Sequence, residues 1–214
     1  MRSTMEARSW RRLVKNGVLP QVPELVLSGS LLHLPDPEWL LCAAVKDDSG
    51  FSKDFTIWVI VMPLYEPTDH LGWLVGERLG HLTEGHDIWW EPENQSTDAI
   101  ATNIAQRLRA GALPFWQRFG NLDAFANECR GRGTFGIDSH YVEWVAGAAV
   151  ITGSDDLASA AFDAARKLEP QYEYQREAQQ RVFELEAAWA RDPSAAVDLL
   201  AGRRAQTASA LGLG

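Results

Sequence analysis

The segment FTIWVIVMPLY, residues 55–65, constrains the fold of this chain more than any other part of the sequence. Its apolar side chains occupy both alternating faces, which is typical of a strand covered on both sides in the interior of a sheet. Pro63 offers no amide hydrogen to a neighbouring strand and should end the regular pairing. The sequence therefore predicts a buried central strand and a sheet built around it.

Three further segments have the two-residue alternation of strands. They are ELVLSGSLLHL (24–34), EWLLCAAVK (38–46) and LGWLVGERL (71–79). Their connections, such as the turn KDDSG, are short, which favours antiparallel pairing because parallel strands need long crossovers. We predict an antiparallel β-meander of about four to five strands in the N-terminal half, with Trp58 and Trp73 at core positions.

The apolar spacing becomes helical on either side of this sheet region. Ser9–Lys15 is predicted to form a short N-terminal helix that covers the sheet domain. Ser96 or Thr97 is a suitable cap for a helix that ends at Gly111. Asn121 is predicted to cap a further helix with the sequence LDAFANECR.

From Asp138 onward the sequence predicts only helices. Asp192 followed by Pro193 is a start signal for the last of them, because aspartate caps a helix and proline suits its first turn. The fold class is therefore α+β. We expect an α+β domain with the antiparallel sheet at residues 1–131, and an all-helical bundle at residues 138–214 that packs on the first domain.

The charge of the chain is concentrated in one region. The net charge is −9, and residues 36–98 contain thirteen acidic and three basic side chains. A nucleic-acid binder needs a basic surface to replace phosphate counterions, so this distribution argues against nucleic acid as a partner.

No segment has the apolar core of a signal peptide or of a membrane span. A cytoplasmic location is therefore predicted, with no membrane partner. Two cysteines are too few for a disulfide framework. Cys42 and Cys129 are surrounded by apolar residues, and we interpret both as reduced core residues.

Two motifs raise the question of a cofactor or a metal ion. The run GRGTFG, residues 131–136, has the glycine spacing of a dinucleotide site, but it follows a predicted helix rather than a strand. We interpret it as a connector. His70, His81 and His86 lie among carboxylates, yet none has the spacing of a zinc protease. Neither a cofactor nor a metal is predicted.

A candidate pocket with catalytic chemistry is the second hypothesis. Tyr65, Asp69, His70, Glu77 and Arg78 would supply a general acid, a base and an anion clamp if they converged between the sheet and the helices. The alternative is that Arg78 forms a strand-face ion pair beside Glu77. The spacing in sequence does not decide between these interpretations.

The stretch HDIWWEPENQS places two adjacent tryptophans among carboxylates. Neighbouring residues of an extended chain point to opposite sides, so one of Trp89 and Trp90 should be exposed if the other is buried. We predict a partner-binding site formed by an exposed indole and the surrounding Asp87, Glu91 and Glu93. The alternative is that Trp90 packs under the following helix.

The segment FTIWVIVMPLYEPTDHLGWLVGERLG with the downstream WW resembles uncharacterised bacterial α+β proteins, some of which are thought to be immunity proteins in toxin systems. The resemblance covers about residues 38–125. It implies a small, acidic, cytoplasmic protein that neutralises a partner by covering it, and it implies no functional residues.

Three functions therefore remain open. The first is a non-catalytic binding protein of the immunity, antitoxin or adaptor kind, whose acidic face occludes a basic protein such as a toxin. The second is an enzyme or small-ligand binder that uses the candidate pocket. The third is a scaffold that self-associates through its C-terminal helices.

Overall fold

The computed structural model of the protein describes residues 7–213. These residues fall into two compact units. The first is the described part of Met1–Met62 together with Gly72–Gly120, and the second is Pro63–Leu71 together with the described part of Asn121–Gly214. The division into domains at residues 1–131 and 138–214 stays a prediction.

The predicted antiparallel meander is confirmed. The sheet has five strands in the order β1-β2-β3-β4-β5, which is the order of the chain. The strands are β1 Val26–Ser28, β2 Leu31–His33, β3 Leu40–Asp48, β4 Phe55–Pro63 and β5 Gly76–Arg78. Every residue of β4 except Trp58 is buried, as the apolar character of both its faces indicated, and Pro63 is its last residue.

Two strand predictions are wrong in their extent. Residues 24–34 form a β-hairpin rather than one strand, because Gly29 adopts a φ of 60° and reverses the chain between β1 and β2. A positive φ at the first turn position is what a two-residue hairpin turn of this kind requires. The predicted strand 71–79 is a strand only over Gly76–Arg78, with one further hydrogen bond of 2.8 Å from the amide of Val61 to the carbonyl oxygen of Val75.

The helices of the first unit are α1 Ala7–Leu13, α2 Leu79–Glu84, α3 Thr97–Arg107 and α4 Leu113–Phe119. Ser96 caps α3 as predicted, since its Oγ accepts a hydrogen bond of 3.2 Å from the amide of Ala99. The predicted helix end at Gly111 is wrong, because the chain continues through a π-helical turn into α4.

Gly111 has a packing role instead of a terminating one. A Cβ at this position would lie 2.9 Å from Cγ2 of Thr83 and 3.0 Å from Cβ of Leu82. Both neighbours belong to α2, so the glycine lets the two segments approach more closely than a side chain would permit.

The second unit is helical. Its helices are α5 Leu122–Gly131, α6 Ser139–Thr152, α7 Asp155–Lys167, α8 Glu173–Arg191 and α9 Pro193–Ala210. Asn121 caps α5 and Asp192 caps α9, both as predicted. The GRGTFG run connects α5 to α6, and α6 is buried along almost its whole length. The α+β class is therefore confirmed.

Candidate functional site

The two adjacent tryptophans have opposite environments. The exposed fraction of Trp90 is 2%, whereas that of Trp89 is 38%. The indole of Trp90 stacks on Phe55 at a ring distance of 5.6 Å and donates a hydrogen bond of 3.0 Å to Oδ1 of Asn103 on α3. Trp90 is thus a core residue packed against the following helix, and only Trp89 can meet a partner directly.

The chain around α2 determines where Trp89 lies. Gly85 ends α2 with a φ of 77°, so the chain turns back along the helix. A Cβ at Gly80 would lie 2.5 Å from the carbonyl oxygen of His86 and 2.6 Å from the amide nitrogen of Ile88. The absence of a side chain at position 80 therefore lets this segment run close to α2 and present Trp89 at the surface.

Trp89 belongs to a group of aromatic side chains arranged around one guanidinium. Cζ of Arg78 lies 5.6 Å from the ring centroid of Trp89 and 5.4 Å from that of Trp58. Trp58 contacts Trp73 edge to face at 5.5 Å. Both distances of Arg78 are within cation–π range. We call Trp58, Trp73, Arg78 and Trp89 the tryptophan cluster.

The β4–β5 register explains how the cluster forms. Trp58 and Arg78 are directly opposite each other on the paired strands, which is the spacing at which cross-strand side chains interact. Trp73 precedes β5 and is 39% exposed, so the prediction that it occupies a core position is wrong. Its ring packs at a steep angle against Trp58 instead of entering the core.

Carboxylates surround the tryptophan cluster. Oδ2 of Asp47 accepts a hydrogen bond of 3.2 Å from the indole of Trp58. Asp87 forms an ion pair with Arg78, and its other oxygen lies 3.0 Å from Nε2 of His81. Glu77 lies 3.4 Å from Nδ1 of the same histidine. Arg78 therefore pairs with Asp87 rather than Glu77, and the carboxylates outnumber the guanidinium.

Glu91 and Glu93 of the predicted site, and other carboxylates of the acidic region 36–98, make contacts outside the cluster. Glu91 accepts a hydrogen bond of 2.8 Å from Asn94. Glu93 pairs with Lys53 at 2.5 Å, and Glu84 pairs with Arg107 at 2.6 Å. Glu66 is buried in the second unit. The acidic region 36–98 is thus partly neutralised, and one local excess of carboxylates over cations lies at the tryptophan cluster.

The residues of the predicted alternative pocket each contact other groups of the protein. Tyr65 is fully buried, and its hydroxyl donates a hydrogen bond of 2.6 Å to the carbonyl oxygen of Trp144. Burial raises the pKa of Tyr65 well above its ordinary value of 10. Asp69 and His70 are exposed and lie 3.2 Å apart, while Arg78 and Glu77 contact the groups described above.

A buried polar group in the second unit was missed by the sequence analysis. Oε2 of Glu66 accepts a hydrogen bond of 2.6 Å from the indole of Trp144, and Oε1 of the same carboxylate lies 2.6 Å from Nδ1 of His140. Its backbone carbonyl accepts a hydrogen bond of 2.7 Å from Thr207. The partners are 74 to 141 residues away in sequence, so no local pattern could reveal them.

The contact between His140 and Glu66 predicts a pH dependence of stability. The hydrogen bond to Glu66 raises the pKa of His140 above its ordinary value of 6.5, despite the opposing effect of burial. Folding favours the protonated form of His140. This form therefore stabilises the folded protein fully at a pH below the pKa of His140 in the unfolded chain, and the stabilisation is lost as the pH rises through the pKa of His140 in the folded protein. Urea denaturation should show a free energy of unfolding that falls as the pH rises above about 6.5.

The variant His140→Gln provides the control for this titration. It retains a hydrogen-bond donor but has no titratable group, so the decrease between pH 6 and pH 8 should be absent. An equal decrease in the variant and the natural chain would contradict the role of the histidine.

Metal sites and membrane-spanning helices were both sought among the described residues. In residues 7–213 no group of three or more histidine, cysteine, aspartate or glutamate side chains is arranged to hold a metal ion. Within the same range, no helix is both long and apolar enough to cross a membrane. Cys42 and Cys129 are free and buried, as predicted, and burial raises the pKa of each thiol to about 12.

The fold and the tryptophan cluster define an α+β protein with an exposed aromatic surface. No protein-family model, curated protein or solved structure matches the chain. The function is therefore inferred from the geometry of the site.

Proposed function

We propose that this chain is a non-catalytic, cytoplasmic binding protein of the immunity, antitoxin or adaptor kind, which uses the tryptophan cluster to bind and occlude a basic partner protein. The observation that supports the proposal is the position of Arg78 between two indoles, beside an exposed Trp73 and Trp89. Tryptophan and arginine are the residue types most enriched among the side chains that dominate binding energy.

The cluster is held in place before any partner arrives. Trp58 contacts both Trp73 and Arg78, and Arg78 in turn contacts Trp89. Side chains ordered in this way lose little conformational entropy on binding, so more of the contact energy contributes to affinity. The half-exposed indoles therefore support a role in recognition.

The carboxylates near the tryptophan cluster indicate the sign of the charge on the partner. Asp47, Glu77 and Asp87 supply three carboxylates around the single cation of Arg78. Complementary charge mainly sets specificity and the association rate, so a basic surface is the expected complement. If the partner were a nuclease, these carboxylates would occupy the place of nucleic-acid phosphates.

The enzyme hypothesis has no comparable support. It requires Tyr65 and Arg78 to act on a substrate, yet the hydroxyl of Tyr65 is hydrogen-bonded inside the second unit. The guanidinium of Arg78 is paired with Asp87. Self-association through the C-terminal helices stays a separate prediction, which light scattering of the full chain tests.

Alanine substitution in the tryptophan cluster tests the proposed function. A partner captured from cells with the natural chain should be purified and its affinity measured across a range of salt concentrations. Trp73→Ala and Trp89→Ala are each expected to weaken binding by about 30-fold, the equivalent of about 2 kcal/mol. The affinity of the natural chain should also fall as salt screens the carboxylates.

Phe51→Ala is the matched control, because Phe51 is a fully exposed aromatic residue in the turn between β3 and β4. It should leave the affinity unchanged. A partner that binds the Trp73→Ala/Trp89→Ala double variant as tightly as the natural chain would exclude the cluster as the binding surface.

A further inference from the structure

The helix α1 and the turn that follows it carry a row of cations on an otherwise acidic protein. Residues 7–23 contain four basic and no acidic side chains. All four are exposed, and their spacing of three and four residues places them on one face of a helix, opposite the apolar face that is buried in the core. We call this row, which consists of Arg8, Arg11, Arg12 and Lys15, the basic stripe.

The charges of the basic stripe are not compensated within the protein. Among residues 7–213, none of its four side chains forms an ion pair or a hydrogen bond. Cations four residues apart on a helix repel each other, and Arg8 lies in the first turn of α1, where a positive charge is unfavourable. Solubility does not require these cations, because the net charge is already −9. The stripe is therefore a surface that an external anion would stabilise.

A surface cavity adjoins the basic stripe and contains one of its arginines. It has a volume of about 480 Å³ and lies between α1 with its following turn and the start of α3. Arg12, Asn16 and Thr97 contribute side-chain hydrogen-bond donors to its lining, and Leu13 and Ala101 contribute apolar atoms. The space is large enough for a whole side chain and offers donors to an acceptor group.

The charges of the lining favour an anion beside Arg12. Asp98 is the only carboxylate of the lining, and it is not paired with Arg12. It lies in the first turn of α3, where the positive end of the helix dipole partly offsets its charge. The guanidinium of Arg12 is therefore open to an incoming carboxylate, which it can bind through two parallel hydrogen bonds.

The basic stripe and the tryptophan cluster lie on opposite faces of the sheet. Trp10 of α1 contacts Phe55 edge to face at 5.7 Å, and Phe55 precedes Trp58 by three residues on β4, so the two side chains point to opposite faces. The adjacent residues of β3 follow the same division, since Lys46 lies over the ring of Phe55 and Asp47 binds Trp58. Both surfaces can therefore be occupied at once.

An acidic protein segment fits the basic stripe better than a nucleic acid or a membrane does. The four cations span only about 10 Å of helix, whereas proteins that bind DNA through its backbone contact about six to ten phosphates. The apolar face of α1 is buried in the core, so it cannot enter a lipid surface. The acidic remainder of the protein also repels extended anions, while a short segment meets only the local charges.

We propose that the basic stripe binds an acidic segment of a partner protein, and that the cavity beside Arg12 receives a glutamate side chain of that segment. The carboxylate accepts hydrogen bonds from Arg12 and Asn16, while its methylene groups lie against Leu13 and Ala101. The other three cations of the stripe attract further carboxylates and raise the association rate. With the tryptophan cluster on the opposite face, the chain then bridges an acidic and a basic protein.

The test is a titration of the full chain followed by amide NMR shifts at constant ionic strength. The probe is acetylated and amidated hexaglutamate, and the comparison ligand is the corresponding hexaglutamine, which has no charge. Hexaglutamate should cause saturable shifts at residues 8–17 and 97–101, and hexaglutamine should cause none. A short DNA duplex and vesicles of equal parts phosphatidylcholine and phosphatidylserine probe the other two classes of anion.

Variants of exposed side chains separate the cavity from the general charge of the stripe. Arg12→Gln should weaken hexaglutamate binding on the order of tenfold, as the loss of a hydrogen bond to a charged group implies. Lys15→Gln, outside the cavity lining, should weaken it only about twofold. Asp98→Asn removes the opposing carboxylate and should strengthen binding about threefold. Arg109→Gln, which removes an exposed arginine beyond the end of α3, is the matched control and should leave the affinity unchanged.

The proposal would be overturned by the absence of saturable shifts with hexaglutamate, by an equal response to hexaglutamine, or by unchanged affinity in Arg12→Gln. Binding of the duplex or the vesicles at residues 8–17 without binding of hexaglutamate would also overturn it, and would assign the stripe to a nucleic acid or an anionic membrane. Trp89→Ala should bind hexaglutamate like the natural chain, so failure of the tryptophan cluster as a docking surface is measured separately.

Discussion

Replacing Arg181 with methionine is expected to lower the free energy of unfolding by about 3 kcal/mol. Its guanidinium donates two hydrogen bonds, of 2.6 and 2.8 Å, to the two carboxylate oxygens of Glu143, a residue that is only 3% exposed. Removing one partner leaves the other charge buried without its counterion. Because burial already raises the pKa of Glu143, the variant should also take up a proton there.

The expected loss of stability is at the lower end of the range for breaking a buried ion pair. The charge of Arg203 also acts favourably on Glu143, so the orphaned carboxylate keeps one nearby cation. Urea denaturation followed by far-ultraviolet circular dichroism measures the change.

Two further variants identify the cause of the destabilisation. In the Glu143→Leu/Arg181→Met double variant both charges are replaced by apolar groups, and much of the lost stability should return because no buried charge remains. Arg166→Met removes an exposed arginine that pairs with Asp163 and Glu186, and should cost less than about 1 kcal/mol. A double variant no more stable than Arg181→Met would show that packing, rather than charge, is responsible.

The variant Gly147→Ala is expected to destabilise the second unit by about 3 kcal/mol, near the upper end for an overpacked core. A Cβ at this position would lie 2.3 Å from Cε2 and 2.6 Å from Cδ2 of Tyr65. The ring cannot easily move, because Tyr65 is 1% exposed and its hydroxyl is bound to the carbonyl of Trp144. The overlap must therefore displace a helix or the ring.

A second glycine-to-alanine change separates steric overlap from helix propensity. Gly202 lies in α9, and a Cβ there would have no atom within 4 Å. Gly202→Ala should therefore stabilise the chain, by up to about 1 kcal/mol. Removing the ring in a Gly147→Ala/Tyr65→Leu variant should cost less than the sum of the two single changes. Strict additivity would mean that the two residues do not collide.

Arg181 and Gly147 stabilise the interior of the second unit, whereas the proposed binding residues are surface groups that the fold brings together. The alternation of an extended chain predicted that one of the two adjacent tryptophans is exposed, and in the structure that indole is Trp89. The same stretch could not identify Trp58, Trp73 and Arg78 as its neighbours. Trp58 is opposite Arg78 because of the β4–β5 register, and a register is a property of paired strands.

Local physical chemistry determined much of this protein directly from its sequence. The apolar faces of β4, the caps at Ser96, Asn121 and Asp192, and the short strand connections specify the α+β meander followed by helices, because each depends on residues a few positions apart. Tertiary structure alone decided that Gly111 packs instead of ending a helix and that Trp90 is buried and Trp89 exposed. It also brought Glu66 to His140 and paired Glu143 with Arg181. These outcomes depend on contacts between residues far apart in sequence, whose energies exist only after the chain has folded.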